Sequence, residues 1–258
     1  MAARERGTSL PPAGGQHFLR SGRLAGEIVA AADVRPDELV VEVGAGFGRL
    51  TAPLLRAGAR VVAVEIDPVL AASLRRRHTD ARLTVVAADF LHTPAVTEPH
   101  RVLGNIPFAI TTPILHRLLD QPPTPLRRAE LIVQDGFARK RAASRPTTLL
   151  ALGWLPWWRL VIERHLPAAC FDPPPAVDAA VLSIAPRRPE LLASSDAPAY
   201  RAFLREGFTR DARPVRRALA IPPRTWKRFA RDRGLATTAR PHELDAWDWA
   251  ELYRIAGR

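Results

Sequence analysis

Leu39-Val40-Val41-Glu42-Val43-Gly44-Ala45-Gly46-Phe47-Gly48 is the stretch that decides the fold. Its first half is an apolar run broken only by Glu42, the pattern of a strand buried on both faces. Its second half places glycine at alternate positions, which lets the main chain turn sharply and come close to a ligand. Strand, glycine turn and following helix form the unit from which doubly wound sheets are built, and ligands bind in the crevice at that turn. A dinucleotide fingerprint requires Gly or Ala three residues after Gly46, where this chain has Arg49. The tighter spacing, on a strand carrying Glu42, fits S-adenosyl-methionine instead.

Reading outward, strands and helices alternate. Leu24, Ile28, Val29 and Ala32 recur at helical spacing and predict a helix over 21–32. A helix from Arg49 to Arg56 is stopped by Gly58. Arg60–Glu65 reads as a strand, then Asp67 caps a helix opened by Pro68. Strands follow at Leu83–Ala87, just before Asp89, at Arg101–Gly104 and at Ala129–Gln134, with a helix at Ile114–Leu119 and a basic one around Arg139-Lys140-Arg141. Arg159–Glu163 and Ala179–Ile184 form a last strand pair with no helix between them, which predicts an antiparallel edge. The fold class is therefore α/β, a Rossmann-like doubly wound sheet with an antiparallel edge. After Pro186 the texture changes. Residues 187–198 read as a polar linker, and 199–258 as a small helical domain rich in arginine, including Arg205, Arg210, Arg216 and Arg228. The expected organisation is a flexible leader at 1–14, a catalytic domain at 15–186 and a helical RNA-binding domain at 187–258.

The 258 residues carry a formal net charge of +12, nearly all of it from arginine, since Lys140 and Lys227 are the only lysines. Such an excess favours a polyanionic partner, nucleic acid first. No apolar run is long enough to span a membrane, and no apolar stretch follows Arg4 and Arg6 as a signal peptide requires. Cys170 is the single cysteine, which excludes an internal disulfide, and the seven histidines show no metal-ligand spacing. A cytoplasmic protein without metal is expected, and nothing predicts an obligate dimer.

Three successive strand ends carry Gly44, Glu65 and Asp89. Glycine admits the cofactor, Glu65 can accept both ribose hydroxyls, and Asp89 can take an adenine amine. The fourth strand ends in Asn105-Ile106-Pro107-Phe108. The Asn105 side-chain oxygen is an acceptor, Pro107 stiffens the neighbouring carbonyls, and Phe108 offers a flat apolar face. Two acceptors beside a stacking face suit the exocyclic amine of a planar base. Phe171, before the rigid run Asp172-Pro173-Pro174-Pro175, is a candidate second face.

In this order, Gln16-His17-Phe18-Leu19, Val41-Glu42-Val43-Gly44-Ala45-Gly46, Val64-Glu65-Ile66-Asp67, Ala88-Asp89-Phe90, Gly104-Asn105-Ile106-Pro107-Phe108 and Phe171–Val177 resemble the rRNA adenine N6-methyltransferases. The resemblance covers about residues 15–185 by motif, and the tail by character. Within that superfamily the chain resembles the Erm branch, which methylates one adenine of large-subunit rRNA and confers macrolide, lincosamide and streptogramin B resistance. The small-subunit dimethyladenosine transferases usually carry Asn-Leu-Pro-Tyr where this chain has Asn-Ile-Pro-Phe. The resemblance implies S-adenosyl-methionine contacts at His17, Leu19, Gly44, Gly46, Glu65, Asp89 and Asn105, a substrate site at Asn105, Ile106, Pro107, Phe108 and Phe171, and large-subunit rRNA as partner. His17 departs from many relatives, which have Asn there.

Competing readings are a small-subunit rRNA dimethyltransferase, a DNA adenine methyltransferase, a non-catalytic RNA-binding factor and a small-molecule methyltransferase. Ile106 counts against the DNA enzymes, whose tetrapeptide usually has proline at both middle positions. The intact glycines, Glu65, Asp89 and Asn105 count against a retired scaffold, and the basic charge against a small-molecule substrate.

Overall fold

The computed structural model describes residues 16–209 and 213–257. The leader expected at 1–14, and Arg210, lie outside the described residues. Strand β1 (Phe18–Leu19) leads into helix α1 (Gly22–Ala32), whose cap Ser21 accepts the Leu24 N–H at 3.2 Å. The sheet is then laid down as β2 (Leu39–Val43), α2 (Thr51–Arg56), β3 (Arg60–Glu65), α3 (Pro68–Arg77), β4 (Leu83–Ala87), β5 (His100–Asn105), α4 (Thr111–Leu119) and β6 (Leu126–Gln134). Helices α5 (Asp135–Ala142) and α6 (Leu149–Leu152) precede β7 (Trp158–Leu166), β8 (Phe171–Asp172) and β9 (Ala179–Pro186). The tail comprises α7 (Ala197–Thr209), α8 (Val215–Ala218), α9 (Pro223–Arg233) and α10 (Ala246–Ile255).

Seven strands form one sheet in the order β4-β3-β2-β5-β6-β9-β7. The first five in that order are parallel, and β9 and β7 are antiparallel additions, as the missing crossover helix predicts. Chain order runs outward from β2 to β4 on one side and from β5 on the other. The switch point therefore lies between β2 and β5, whose carboxyl ends are Val43 and Asn105. Helix α2 starts two residues later than expected. Gly44, Gly46 and Gly48 all have positive φ (70°, 53° and 79°), so the turn persists through Gly48 before the chain can coil.

β1 and β8 make a separate two-stranded antiparallel pair, with Leu19 opposite Phe171 and Phe18 opposite Asp172. The Arg20 N–H to Cys170 carbonyl bond, 2.9 Å, extends it. This pairing fixes residues 16–19 across the carboxyl ends of the sheet.

One hydrophobic cluster covers one sheet face through Val41, Val102 and Leu131 and runs on through Trp154, Trp157 and Trp158 to Tyr200, Phe203, Trp226 and Trp249. The stretch 187–198 is not the free linker its polarity suggested. The Trp157 indole N–H donates to the Leu192 carbonyl at 3.0 Å, the Arg187 N–H donates to the Trp157 carbonyl at 2.7 Å, and Leu192 and Ala197 are buried. A second cluster on the opposite face joins Val40, Val61, Ala63 and Leu103 to α1 and to Leu54.

Candidate active site at the carboxyl ends of the strands

A single cleft lies over the switch point, and most of the residues singled out in the sequence line it: His17, Gly44, Glu65, Asp89, Asn105, Ile106, Pro107 and Phe108. All but His17 arrive together because each ends a parallel strand or lies in the turn after it, and the β1–β8 pair brings His17 over them. Gly46 sits one shell beneath. Its N–H donates to Glu65 Oε2 at 2.7 Å, while Glu65 Oε1 accepts the Asp67 N–H at 3.0 Å. Glu65 is 3% exposed, and these two bonds fix its carboxylate without using the second lone pair of either oxygen. It can still accept two hydroxyls from a ligand in the cleft.

Asp89 caps a short turn at Phe90–His92 by accepting the Leu91 N–H at 2.9 Å, and its other oxygen meets His92 Nδ1 at 2.9 Å. These hydrogen bonds, the Leu91 amide first and then His92, hold its pKa below the usual carboxylate value, so it is a charged acceptor. Ile66, 62% exposed, and Phe90 supply apolar surface beside these acids. The residues fit S-adenosyl-methionine: a glycine turn with left-handed backbone, two anchored carboxylates at successive strand ends and apolar walls between them.

Asn105 carries the substrate side. Its Nδ2 donates to the His17 main-chain carbonyl at 2.7 Å. A carbonyl only accepts, so this contact fixes which end of the amide is which and leaves Oδ1 as an acceptor with no donor among the described residues. The Ile106 carbonyl is likewise unpaired there, whereas the Pro107 carbonyl accepts the Ile110 N–H at 3.1 Å. Two adjacent acceptors, Asn105 Oδ1 and the Ile106 carbonyl, are therefore open, and the backbone between them is stiffened by Pro107 at φ −56°.

Besides Gly46, two expected members do not line the cleft. Phe171 is 0% exposed and belongs to the second hydrophobic cluster, so it is a core residue and no stacking face. It lies opposite Leu19 in the β1–β8 ladder, and both residues belong to that cluster. Leu19, 3% exposed, packs in the same cluster. The ring nearest Phe108 is instead His17, with centroids 5.8 Å apart and planes at 39°. His17 Nδ1 lies 2.8 Å from the Pro173 carbonyl and is therefore its protonated nitrogen. Its donor is used to hold the strap of residues 16–19 in place, and its carbonyl holds Asn105.

Nothing in the sequence pattern gives Gly104 a role, and the structure does. A Cβ there would stand 2.6 Å from the Val43 carbonyl oxygen, so no other residue lets β5 lie this close to β2. Ile66 was also overlooked as a wall, although an apolar residue wedged between a strand-end acid and a helix cap has no route to the core. Phe18 is a further wall of the cleft. Its ring packs edge-on against Phe47 at 4.7 Å and lies over Gly46, where a Cβ would meet it at 2.9 Å.

The sequence model of the family described as ribosomal RNA adenine dimethylase matches residues 11–256. The chain is 34% identical over 95% of its length to the mycinamicin-resistance protein MyrB of Micromonospora griseorubida, 80% of which is covered. It is 35% identical over 92% of its length to ribosomal RNA small subunit methyltransferase A of Synechococcus sp. (strain RCC307), 93% of which is covered. Among solved structures, that of the 23S rRNA methyltransferase ErmE superposes with a TM-score of 0.81 at 30% identity, covering 93% of this chain and all of that one.

Proposed function

The chain belongs to the ribosomal RNA adenine dimethylase family of S-adenosyl-methionine-dependent methyltransferases, and we propose that it methylates N6 of one adenine in large-subunit (23S) rRNA. The modification confers macrolide, lincosamide and streptogramin B resistance. The observation that carries the reaction is the open acceptor pair of Asn105 Oδ1 and the Ile106 carbonyl beside Phe108. The likeness to MyrB and ErmE favours the large subunit. Likeness at the same level to small subunit methyltransferase A supports a second reading, dimethylation of small-subunit rRNA.

The adenine N6 lone pair is delocalised into the ring and is a poor nucleophile. Asn105 Oδ1 and the Ile106 carbonyl accept its two protons and draw the nitrogen toward a tetrahedral geometry, which localises the lone pair. Both acceptors are prepositioned, Asn105 by His17 and Ile106 by Pro107, so little reorganisation remains at the moment of reaction. S-adenosyl-methionine, which Gly44, Glu65 and Asp89 would hold, would supply an electrophilic sulfonium methyl whose S–C bond breaks as the nitrogen bonds to carbon, leaving a neutral thioether. The methylated nitrogen sheds one proton to water, being acidic in that state, and no tuned general base is required. The base leaves its stack to enter the cleft, and stacking on Phe108 returns about 1–3 kcal/mol. Arginines on the surface hold phosphates, which positions the RNA without reading sequence. The protein works as a cytoplasmic monomer on the ribosomal RNA. Among the described residues, no helix is long and apolar enough to cross a membrane.

The test is methyl transfer from labelled S-adenosyl-methionine to protein-free 23S and 16S rRNA, with mass spectrometry of the product nucleoside. Label on 23S RNA as N6-methylated adenosine is expected. Label confined to 16S RNA would move the protein to the small-subunit reading.

A further inference from the structure

A second cavity, of about 590 Å³, opens between the edge strands and the helical tail. Arg141, Arg159, Arg187, Arg188 and Trp247 line it, and no Asp or Glu does. Of these arginines, Arg188 lies 3.9 Å from a carboxylate, that of Glu190. Four guanidiniums around one space repel one another, and burial and Arg159 both depress the Arg187 pKa. Arg141 Nε is shielded from solvent with no acceptor among the described residues, while its guanidinium lies 3.9 Å over the Phe137 ring. Such a cluster costs stability unless an anion shares it.

The aromatic member makes the site more than a phosphate trap. Trp247 is 43% exposed, and the other five tryptophans are 2% exposed or less or, in one case, wholly buried. Its ring is held from one side by the Arg187 guanidinium, 5.0 Å from the ring centre. Arg187 is itself fixed by donating from Nε to the Leu155 carbonyl at 2.7 Å. An exposed indole braced by arginine, among further guanidiniums with no carboxylate in the cavity lining, is the equipment for a base and its phosphate together.

We propose that this cavity takes one unpaired nucleotide of the RNA substrate, with its base on Trp247 and its phosphate among Arg141, Arg159 and Arg188. The proposal rests on the RNA-methyltransferase reading for its ligand class. The site is distinct from the methyl-transfer cleft. In β9, Ala179 pairs with Gln134 at the cleft end of the sheet and Ala185 pairs with Arg159 at the cavity end. Six strand residues separate the two, about 20 Å at 3.4 Å per residue. The nucleotide held is several positions from the target adenine, so the cavity sets which RNA shape can present that adenine.

The experiment follows tryptophan emission of the full chain on titration with hexauridylate and, separately, with inorganic pyrophosphate. Hexauridylate is expected to quench emission, and Trp247→Phe to abolish the quench. Arg159→Gln with Arg188→Gln should weaken hexauridylate binding about tenfold and reduce the salt slope by up to about 0.7, the value for one phosphate on a single strand. S-adenosyl-methionine affinity, measured by calorimetry, should be unchanged in both variants, which shows that they fold. A quench that survives in Trp247→Phe, an unchanged affinity in the double variant, or an equal quench by pyrophosphate would overturn the proposal. A protein that methylates no rRNA yet shows the Trp247-dependent quench upholds the pocket and counts only against the enzymatic assignment.

Discussion

Asn105 donates from Nδ2 to the main-chain carbonyl of His17 at 2.7 Å, a bond between segments 88 residues apart. The strap that carries His17 is pinned to the sheet by the β1–β8 pair and by the contact of His17 with Pro173. The reactive end of Asn105 is thus oriented by a piece of chain outside the strand that bears it. Asn105→Ala removes one of two acceptors used only as the amine rehybridises. Turnover should fall by about 10²–10³, the scale for loss of one preorganised polar group. RNA affinity should stay within about twofold, because phosphate contacts supply most of it. Single-turnover methyl transfer and filter binding separate the two, and a parallel loss of both would contradict the role.

Glu65 joins the glycine turn to the next strand through its bonds to Gly46 and Asp67. Glu65→Ala leaves the buried Gly46 N–H without its acceptor, which costs about 1–3 kcal/mol. It also removes both hydroxyl acceptors from the cleft. Melting temperature and S-adenosyl-methionine affinity should therefore fall together. Glu65→Gln puts an NH₂ group against one of two backbone donors, so its affinity should also fall, with a smaller loss of stability. Calorimetric titration beside thermal melts distinguishes the two variants.

Gly104 and Gly26 give a matched pair. Ala at 104 drives its Cβ to 2.6 Å from the Val43 carbonyl, a backbone atom that cannot swing away, whereas nothing lies within 4 Å of a Cβ at 26. Gly104→Ala should destabilise by about 1–3 kcal/mol and weaken cofactor binding, since β2 and β5 bound the switch point. Gly26→Ala, inside α1, should stabilise by about 0.4–1 kcal/mol through the unfolded chain. Chemical denaturation of both variants checks the contrast.

The sequence reads well where structure is local. Arg60–Glu65 and Leu83–Ala87 fold as read, and Asp67 with Pro68 opens α3 as read, because apolar runs and caps act within a few residues. The acids and glycines at the strand ends were legible for the same reason, since the βα repeat places every strand end on one edge. Phe171 was misread because its partner, Leu19, is distant in the chain, and no local pattern announces that pairing. Gly104 was invisible because the atom it makes room for belongs to another strand. The correction is testable. Phe171→Ala should cost about 3–5 kcal/mol as a core truncation, while Phe171→Leu should retain wild-type turnover. A large loss of turnover in a stable Phe171→Leu protein would restore the stacking role.

Glu42 should give the protein a distinctive pH dependence. It lies in β2, 1% exposed, and accepts the Thr51 hydroxyl at 2.5 Å. Burial pushes its pKa up to about 8, the Thr51 bond opposes that rise, and the Glu65 charge adds to it. The folded protein therefore keeps this proton up to about pH 8, whereas the unfolded chain releases it near the ordinary glutamate value of about 4.3. Between these values the native state binds the extra proton, so stability falls as pH rises, by up to about 1.4 kcal/mol per pH unit, and levels off above about 8. Glu42→Gln keeps an oxygen for Thr51 and cannot titrate. Every other group titrates alike in the two proteins, so the difference between their melting temperatures isolates this carboxyl. That difference should be smallest below about pH 4, where folded and unfolded Glu42 are both protonated, and should grow in favour of the variant toward pH 8. A difference independent of pH would mean that Glu42 ionises normally within the fold, and the account of β2 as a fully dry strand beneath the cleft would fail.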